Sequence, residues 1–283
     1  VTLILSNSFR IEAFIRLGAF ALIFAAIALA EGAMPRRKRL FARSARWPGN
    51  IGVAAINTAA VYVLVPVTAV GVAMIAERGH IGLLHAYAMP AAAAFLAALL
   101  ALDFAIYLQH VMFHAVPLLW RVHRMHHADL DFDVTTGFRF HPAEIIISLL
   151  IKIGVVMCLG PSPIAVLAFE VLLNGTSMFN HGNLAIDERA DRWLRWIVVT
   201  PDMHRVHHSI VRDETNSNFG FNLPWWDWMM GTYRAQPAAG HLAMTIGIEQ
   251  FRSPAELGLI RMLTQPMREP AGDYPISRSS SSV

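Results

Sequence analysis

Residues 96–114 read LAALLALDFAIYLQHVMFH. This is a long apolar run that carries one carboxylate, Asp103, and ends on two histidines, His110 and His114. The apolar segment begins near Leu83 and exceeds the roughly 20 residues a helix needs to cross a bilayer. Four-residue spacing on a helix puts the two imidazoles on one face, one turn apart. Ring nitrogens so placed can meet one metal ion or two adjacent ones. Asp103 and Tyr107 precede His110 by seven and three residues and share that face. The carboxylate there either orients a ligand imidazole or forms a buried polar pair with Tyr107.

Composition agrees with a membrane protein. Of 283 residues, 55% are hydrophobic and only 15% charged, whereas an ordinary soluble domain carries about 25% charged residues. Mean hydropathy is +0.45. A chain with so little polar surface cannot cover a soluble globule. The net charge of +3 comes mainly from one short loop, so nucleic acid is not the expected partner. The single cysteine, Cys158, excludes an intrachain disulfide and a thiolate metal site.

Five apolar segments can be read, at about 11–30, 51–76, 83–108, 143–159 and 163–179. The expected fold is an all-α integral membrane protein with four to five membrane helices and a histidine-lined di-metal cap. The last two segments, separated by Gly160-Pro161-Ser162-Pro163, are either two spans or a re-entrant hairpin. Arg36, Arg37, Lys38, Arg39, Arg43 and Arg46 lie between the first two segments, which puts that loop in the cytoplasm. Parity then brings every histidine cluster to the same cytoplasmic face. A rival reading takes Arg10, Arg16 and the run ending Ala28-Leu29-Ala30 as a signal peptide, which would reverse that orientation. Lys152 and Glu170 sit at similar depth on either side of the Gly160–Pro163 turn, so an ion pair is expected between them. The organisation expected is N-terminal membrane helices over 1–100, a catalytic domain over 101–235, and a C-terminal tail over 236–283, partly disordered.

Two clusters share the form H-x-x-H-H: His123-Arg-Met-His126-His127 and His204-Arg-Val-His207-His208. His181 lies where the fifth segment ends, and is a further candidate ligand. His141, at the start of the fourth, is either a ligand, a residue behind the ligands or an interfacial cap; His80, His85 and His241 are isolated. Nine imidazoles are too many for one ion and suit two. By ligand type, iron and zinc both fit.

At these residues the chain resembles the fatty acid hydroxylase/sterol desaturase superfamily of membrane-bound di-iron enzymes. The matching elements are HVMFH, HRMHH, FRFHPAE, the histidine of FNHGN and HRVHHS, followed by Asn218-Phe219-Gly220, Trp226-Asp227 and Gly231-Thr232-Tyr233. They cover about residues 100 to 235. The commonest family form has arginine after the first histidine, where this chain has Val111.

The resemblance implies nine ligands: His110, His114, His123, His126, His127, His181, His204, His207 and His208. It implies two iron ions (zinc as a substitute), O2 as co-substrate and hydroxylation or desaturation of a C–H bond in a lipid or sterol-like substrate. It also implies a separate electron donor, a reductase or a ferredoxin or cytochrome. His141, Asp103 and Asp227 are assigned behind the ligands or as additional ones. Met112, Phe113, Met125, Phe179, Trp225 and Trp226 either shield the oxidant or are ordinary core. Two other readings compete: a membrane dizinc hydrolase, and a histidine-lined metal transporter, which would spread its ionisable groups across the spans.

Overall fold

The computed structural model describes residues 2–277. It is built from helices α1 (Thr2–Ala33), α2 (Arg43–Leu64), α3 (Ala69–Gly79), α4 (Leu83–Ala86), α5 (Ala91–Ala115), α6 (Pro117–His127), α7 (Pro142–Leu159) and α8 (Pro163–Asn180). Shorter helices follow: α9 (Glu188–Leu194), α10 (Pro201–His207), α11 (Arg212–Thr215), α12 (Trp225–Met230), α13 (Gly240–Ala243) and α14 (Leu259–Arg268). Among the described residues there is no strand, only two isolated bridges, Pro35 with Leu184 and Ser209 with Ile246. The all-helical membrane architecture is the one the sequence predicts.

Among the described residues, four stretches are long and apolar enough to cross a membrane: Ile11–Ala33, Arg43–Ala86, Ala91–Ala115 and Pro142–Leu159. The second is not one straight helix, as the sequence reading has it. Pro66 lacks a donor and forces Val65 into extended backbone, which ends α2. Thr68 restarts the chain as α3 by accepting from Gly71 N at 3.0 Å. The third segment likewise starts at Ala91 rather than Leu83, after Pro90. Together α2 and α3 still follow α7 from end to end. Asn57 donates to Phe140 O just before α7, and Gly82 lies against the Gly160 turn that closes it. A Cβ on Gly82 would stand 2.3 Å from Gly160 N, so the backbones approach closely only because both residues are glycine.

The turn between α7 and α8 has Gly160 in the left-handed region, φ 64°, and Ser162 capping α8. In this hairpin Lys152 Nζ stands 2.8 Å from Glu170 Oε1, the expected pair. Arg16 of α1 also binds Glu170.

At the opposite end, the basic loop folds onto the cap. Arg46 is fully buried and bonds Asp129 at 2.7 and 3.0 Å and Asp133 at 2.5 Å. Arg36 pairs with Asp202 at 3.0 Å, and Arg43 with Glu31 at 3.1 Å. The loop read for its membrane orientation therefore also closes the cap by buried ion pairing. It lies at the same end of the helices as the histidines, because Asp129 follows His127 by two residues.

The C-terminal segment joins the cap. Read as a partly disordered tail, it packs against the cap as far as Ile276. Tyr274 stacks on Trp120 with centroids 5.6 Å apart and donates to Ile210 O at 2.7 Å. Ile276 N donates to His114 O at 3.0 Å. Helix α14 lays a periodic apolar stripe, Leu259, Met262, Leu263 and Pro266, toward α2 and α6, and Tyr274 and Ala271 anchor the chain beyond it. Residues 278–283, where the expectation of disorder also falls, lie outside the described residues.

Candidate metal centre

Four helix ends deliver nine imidazoles to one buried place. His110 and His114 end α5; His123, His126 and His127 end α6; His181 caps α8; His204 and His207 lie in α10, which His208 caps. Both short ligand helices begin with proline at the first position, where its missing donor costs nothing. Thr200 caps α10 by accepting from Met203 N at 3.3 Å.

The ligating atoms form two groups. One holds His110, His114, His123, His127 and His207; the other His126, His181, His204 and His208; within each, the atoms lie within 4.8 Å of one another. The H-x-x-H-H spacing explains the split. On α6, the residues one turn apart, His123 and His127, serve the first group, and His126 points to the second. On α10 the pattern is mirrored: His204 and His208 serve the second group and His207 the first. His127 and His208, from different groups, stack with centroids 4.6 Å apart, so the two groups adjoin.

Hydrogen bonds fix the tautomers. His110 Nδ1 donates to Phe219 O, His207 Nδ1 to Ser217 O and His181 Nδ1 to Ser177 O, each at 2.7 Å. A carbonyl only accepts, so these rings carry their proton on Nδ1 and turn a bare Nε2 inward. His123 Nδ1 meets Glu144 Oε1 at 2.6 Å. His114 Nδ1 meets Asn216 Oδ1 at 3.1 Å, an amide oriented by its own bond to Tyr274 O at 2.8 Å.

Burial holds His126, His127, His204, His207 and His208 well below the usual imidazole range, with their neighbouring imidazoles adding to it. It lowers His123 to about 3, and His181 to about 3 against the opposing bond to Ser177. All therefore stand as neutral rings, the form that binds metal.

Facing Nε2 atoms are 3.0 to 3.2 Å apart within the groups. His110 Nε2 and His207 Nε2, both unprotonated, are 3.0 Å apart. Two lone pairs held so close in a dry site repel unless a cation lies between them. Adjacent imidazoles on a metal at about 2.1 Å stand about 3 Å apart, so the donor set fits two metal ions. Aromatic rings seal the site: Phe140 stacks on His126 at 4.2 Å, and Phe219 sets its edge against His110 and His114.

The remaining candidates lie outside the two groups. His141 caps α7, accepting from Ala143 N at 3.1 Å, and its Nε2 faces Leu263 O. Asp103 touches no imidazole. It takes bonds from Asn222 Nδ2, Leu223 N and Trp226 Nε1, while Tyr107 pairs with Thr232. Asp227 accepts from Phe219 N at 2.8 Å and Gly220 N at 2.9 Å, fixing the turn whose carbonyl holds His110. Burial raises Asp227 to about 6 against those bonds. Met125 packs with Val53 and Met262 in the core, and Trp225 bonds Trp196 O away from the site. Sequence reasoning gave Glu144 no role of its own, although it is the last residue of the matching FRFHPAE element.

Comparison with known proteins follows the same residues. Residues 95–232 match the fatty acid hydroxylase family model. The chain is 32% identical over 170 residues to ornithine lipid hydroxylase OlsE of Rhizobium tropici, covering 58% of this chain and 47% of that one. It is 33% identical over 138 residues to alkylglycerol monooxygenase of Xenopus tropicalis, covering 47% and 29%. With the Homo sapiens alkylglycerol monooxygenase it shares 29% over 159 residues, covering 54% and 34%. The chain thus spans less than half the length of these curated relatives. No solved structure matches it. The chain belongs to the fatty acid hydroxylase/sterol desaturase superfamily.

Proposed function

We propose that this chain is an O2-dependent di-iron oxygenase that hydroxylates a C–H bond of a membrane lipid. The observation that carries the metal reading is the pair of bare Nε2 atoms of His110 and His207, each fixed by a carbonyl behind it. The relatives named as lipid hydroxylases and monooxygenases support the reaction class.

With two irons bound, the centre would supply reductive activation of O2 and removal of hydrogen from an unactivated C–H bond. The balance of hydroxylation is C–H, O2, two electrons and two protons giving C–OH and water. A separate redox protein is therefore the proposed source of electrons. The chain's own residues do the rest. Five imidazoles hold one ion and four the other, with Glu144 and the Phe219, Ser217 and Ser177 carbonyls keeping their rings aimed. Phe113, Phe140, Phe219 and Phe221 keep water from the reacting atoms. We place the centre on the cytoplasmic side, a reading supported by the arginines of the 36–46 loop at that end of the helices.

The test is metal analysis of protein purified without oxygen, followed by lipid mass spectrometry with and without active protein. Two irons that consume O2, and a gain of one oxygen in one lipid class, are expected. Two tightly bound zincs with hydrolytic activity and no O2 uptake would overturn the reading.

A further inference from the structure

A cavity of about 350 Å³ opens beside His110 and His123 and runs into the membrane region between α7 and α8. Part of its wall is apolar, from Phe20, Ile106, Phe113 and Leu149. The rest is unexpectedly polar for helices this hydrophobic. Glu144, Ser148 and Lys152 line it from α7, spaced four residues apart. That spacing makes a stripe rising about 6 Å per step. From α8 come Glu170, Asn174 and Ser177.

Apart from Arg16 Nε and Glu170 Oε2, which are held in ion pairs, four buried atoms of the lining have no hydrogen-bond partner among the described residues: Asn57 Oδ1, Gln109 Oε1, Glu144 Oε2 and Ser177 Oγ. Their companion atoms are engaged. Asn57 Nδ2 donates to Phe140 O at 2.9 Å, and Gln109 Nε2 to Ser148 Oγ at 2.8 Å. Glu144 Oε1 holds His123. Asn57, Glu144 and Ser177 are each under 10% exposed. A buried polar atom left without a partner is costly. The amide oxygens Asn57 Oδ1 and Gln109 Oε1 can only accept, as does Glu144 Oε2 while its carboxyl is ionised, so the occupant that suits them brings donors.

We propose that this cavity binds its lipid through a hydrogen-bond-donating group, a hydroxyl, amide N–H or amine, lodged against Asn57, Gln109 and Glu144. The inference rests on the lipid-oxygenase reading and adds the substrate class: a lipid with O–H or N–H near the oxidised carbon, in preference to a plain acyl ester or hydrocarbon. Glu144 touches the ligand His123, so the bound group sits beside the metal centre. The chain then lies along Ile106, Phe113 and Leu149. The Lys152–Glu170–Arg16 cluster lies about 12 Å farther along α7 from Glu144 and is paired within itself.

The experiment is calorimetric titration of the purified full chain in detergent with two matched probe pairs. One is N-methylhexadecanamide against methyl hexadecanoate; the other is hexadecanol against hexadecyl methyl ether. In at least one pair the donor is expected to bind about tenfold more tightly, because a site built to bond a donor rejects the analogue lacking it. Gln109→Met and, separately, Asn57→Leu should each shrink that preference while leaving ester and ether affinity unchanged, which shows that the variants are folded. Equal affinities in both pairs for the native chain would mean that water satisfies these atoms, and would overturn the proposal. Binding needs neither iron nor O2, so failure of the oxygenase reading and failure of this one give different results.

Discussion

His110 and His207 approach through Nε2 at 3.0 Å while their Nδ1 atoms donate to the carbonyls of Phe219 and Ser217 at 2.7 Å. The two rings come from helices 97 residues apart, yet each is fixed by the same short segment, Ser217–Phe219. That segment sets the aim of two of the five rings that could hold an ion there.

His207→Ala should therefore empty the five-histidine group. The expected result is loss of at least one of two metal ions per chain and of all lipid oxidation. Metal quantification and product mass spectrometry check it; full metal content and activity would remove His207 from the ligand set.

Glu144→Ala takes away the carboxylate behind His123. Loss of such a partner typically costs 10–100-fold in metal affinity or activity. Competition with a chelator should show the weakened affinity. Glu144→Gln, which keeps an acceptor, should recover part of it.

Asp227 yields a pH dependence. Its folded value is raised to about 6 from 3.8 by burial, so between these values the folded state holds more protons than the unfolded state. Stability is then full below about pH 4 and falls as pH rises through 6, by at most about 3 kcal/mol for a two-unit shift. Asp227→Asn should remove that component. The measurement is the difference in Tm between pH 5 and pH 7, larger in the native chain than in the variant. An unchanged difference would contradict the assignment.

Arg46→Leu would leave Asp129 and Asp133 buried without their cation. Removing one partner of a buried pair costs about 3–5 kcal/mol. Thermal unfolding in detergent should show a large drop in Tm; a loss under about 1 kcal/mol would mean the network relaxes or takes up water.

Much of this was legible in the sequence, and the reasons are specific. The spacing of His110 and His114, and the repeated H-x-x-H-H, follow the helical period, so a shared face could be read directly. The Lys152–Glu170 pair followed from its symmetric distance to the Gly160–Pro163 turn. The partners behind the ligands were harder. Three are backbone carbonyls, which leave no mark in a sequence, and Glu144, the last letter of FRFHPAE, has a partner that the motif alone does not spell out. Pro66 was visible, but hydropathy averaged over it and hid the break between α2 and α3. The arginines of the two H-R-x-H-H motifs were silent as well. Arg124 turns outward to hold the carbonyls of Gln265, Glu269 and Pro270, and Arg205 turns to Asp202.

The mirrored use of H-x-x-H-H has a consequence for assembly. Helices α6 and α10 each give two rings to one group and one ring to the other. An ion captured by either group fixes the rotation of both helices about their own axes, and so places the second group's rings before its ion arrives. Loading is then cooperative: titration of the metal-free chain should pass from none to two ions with little of the singly loaded species, and the two sites should fill and empty as a unit.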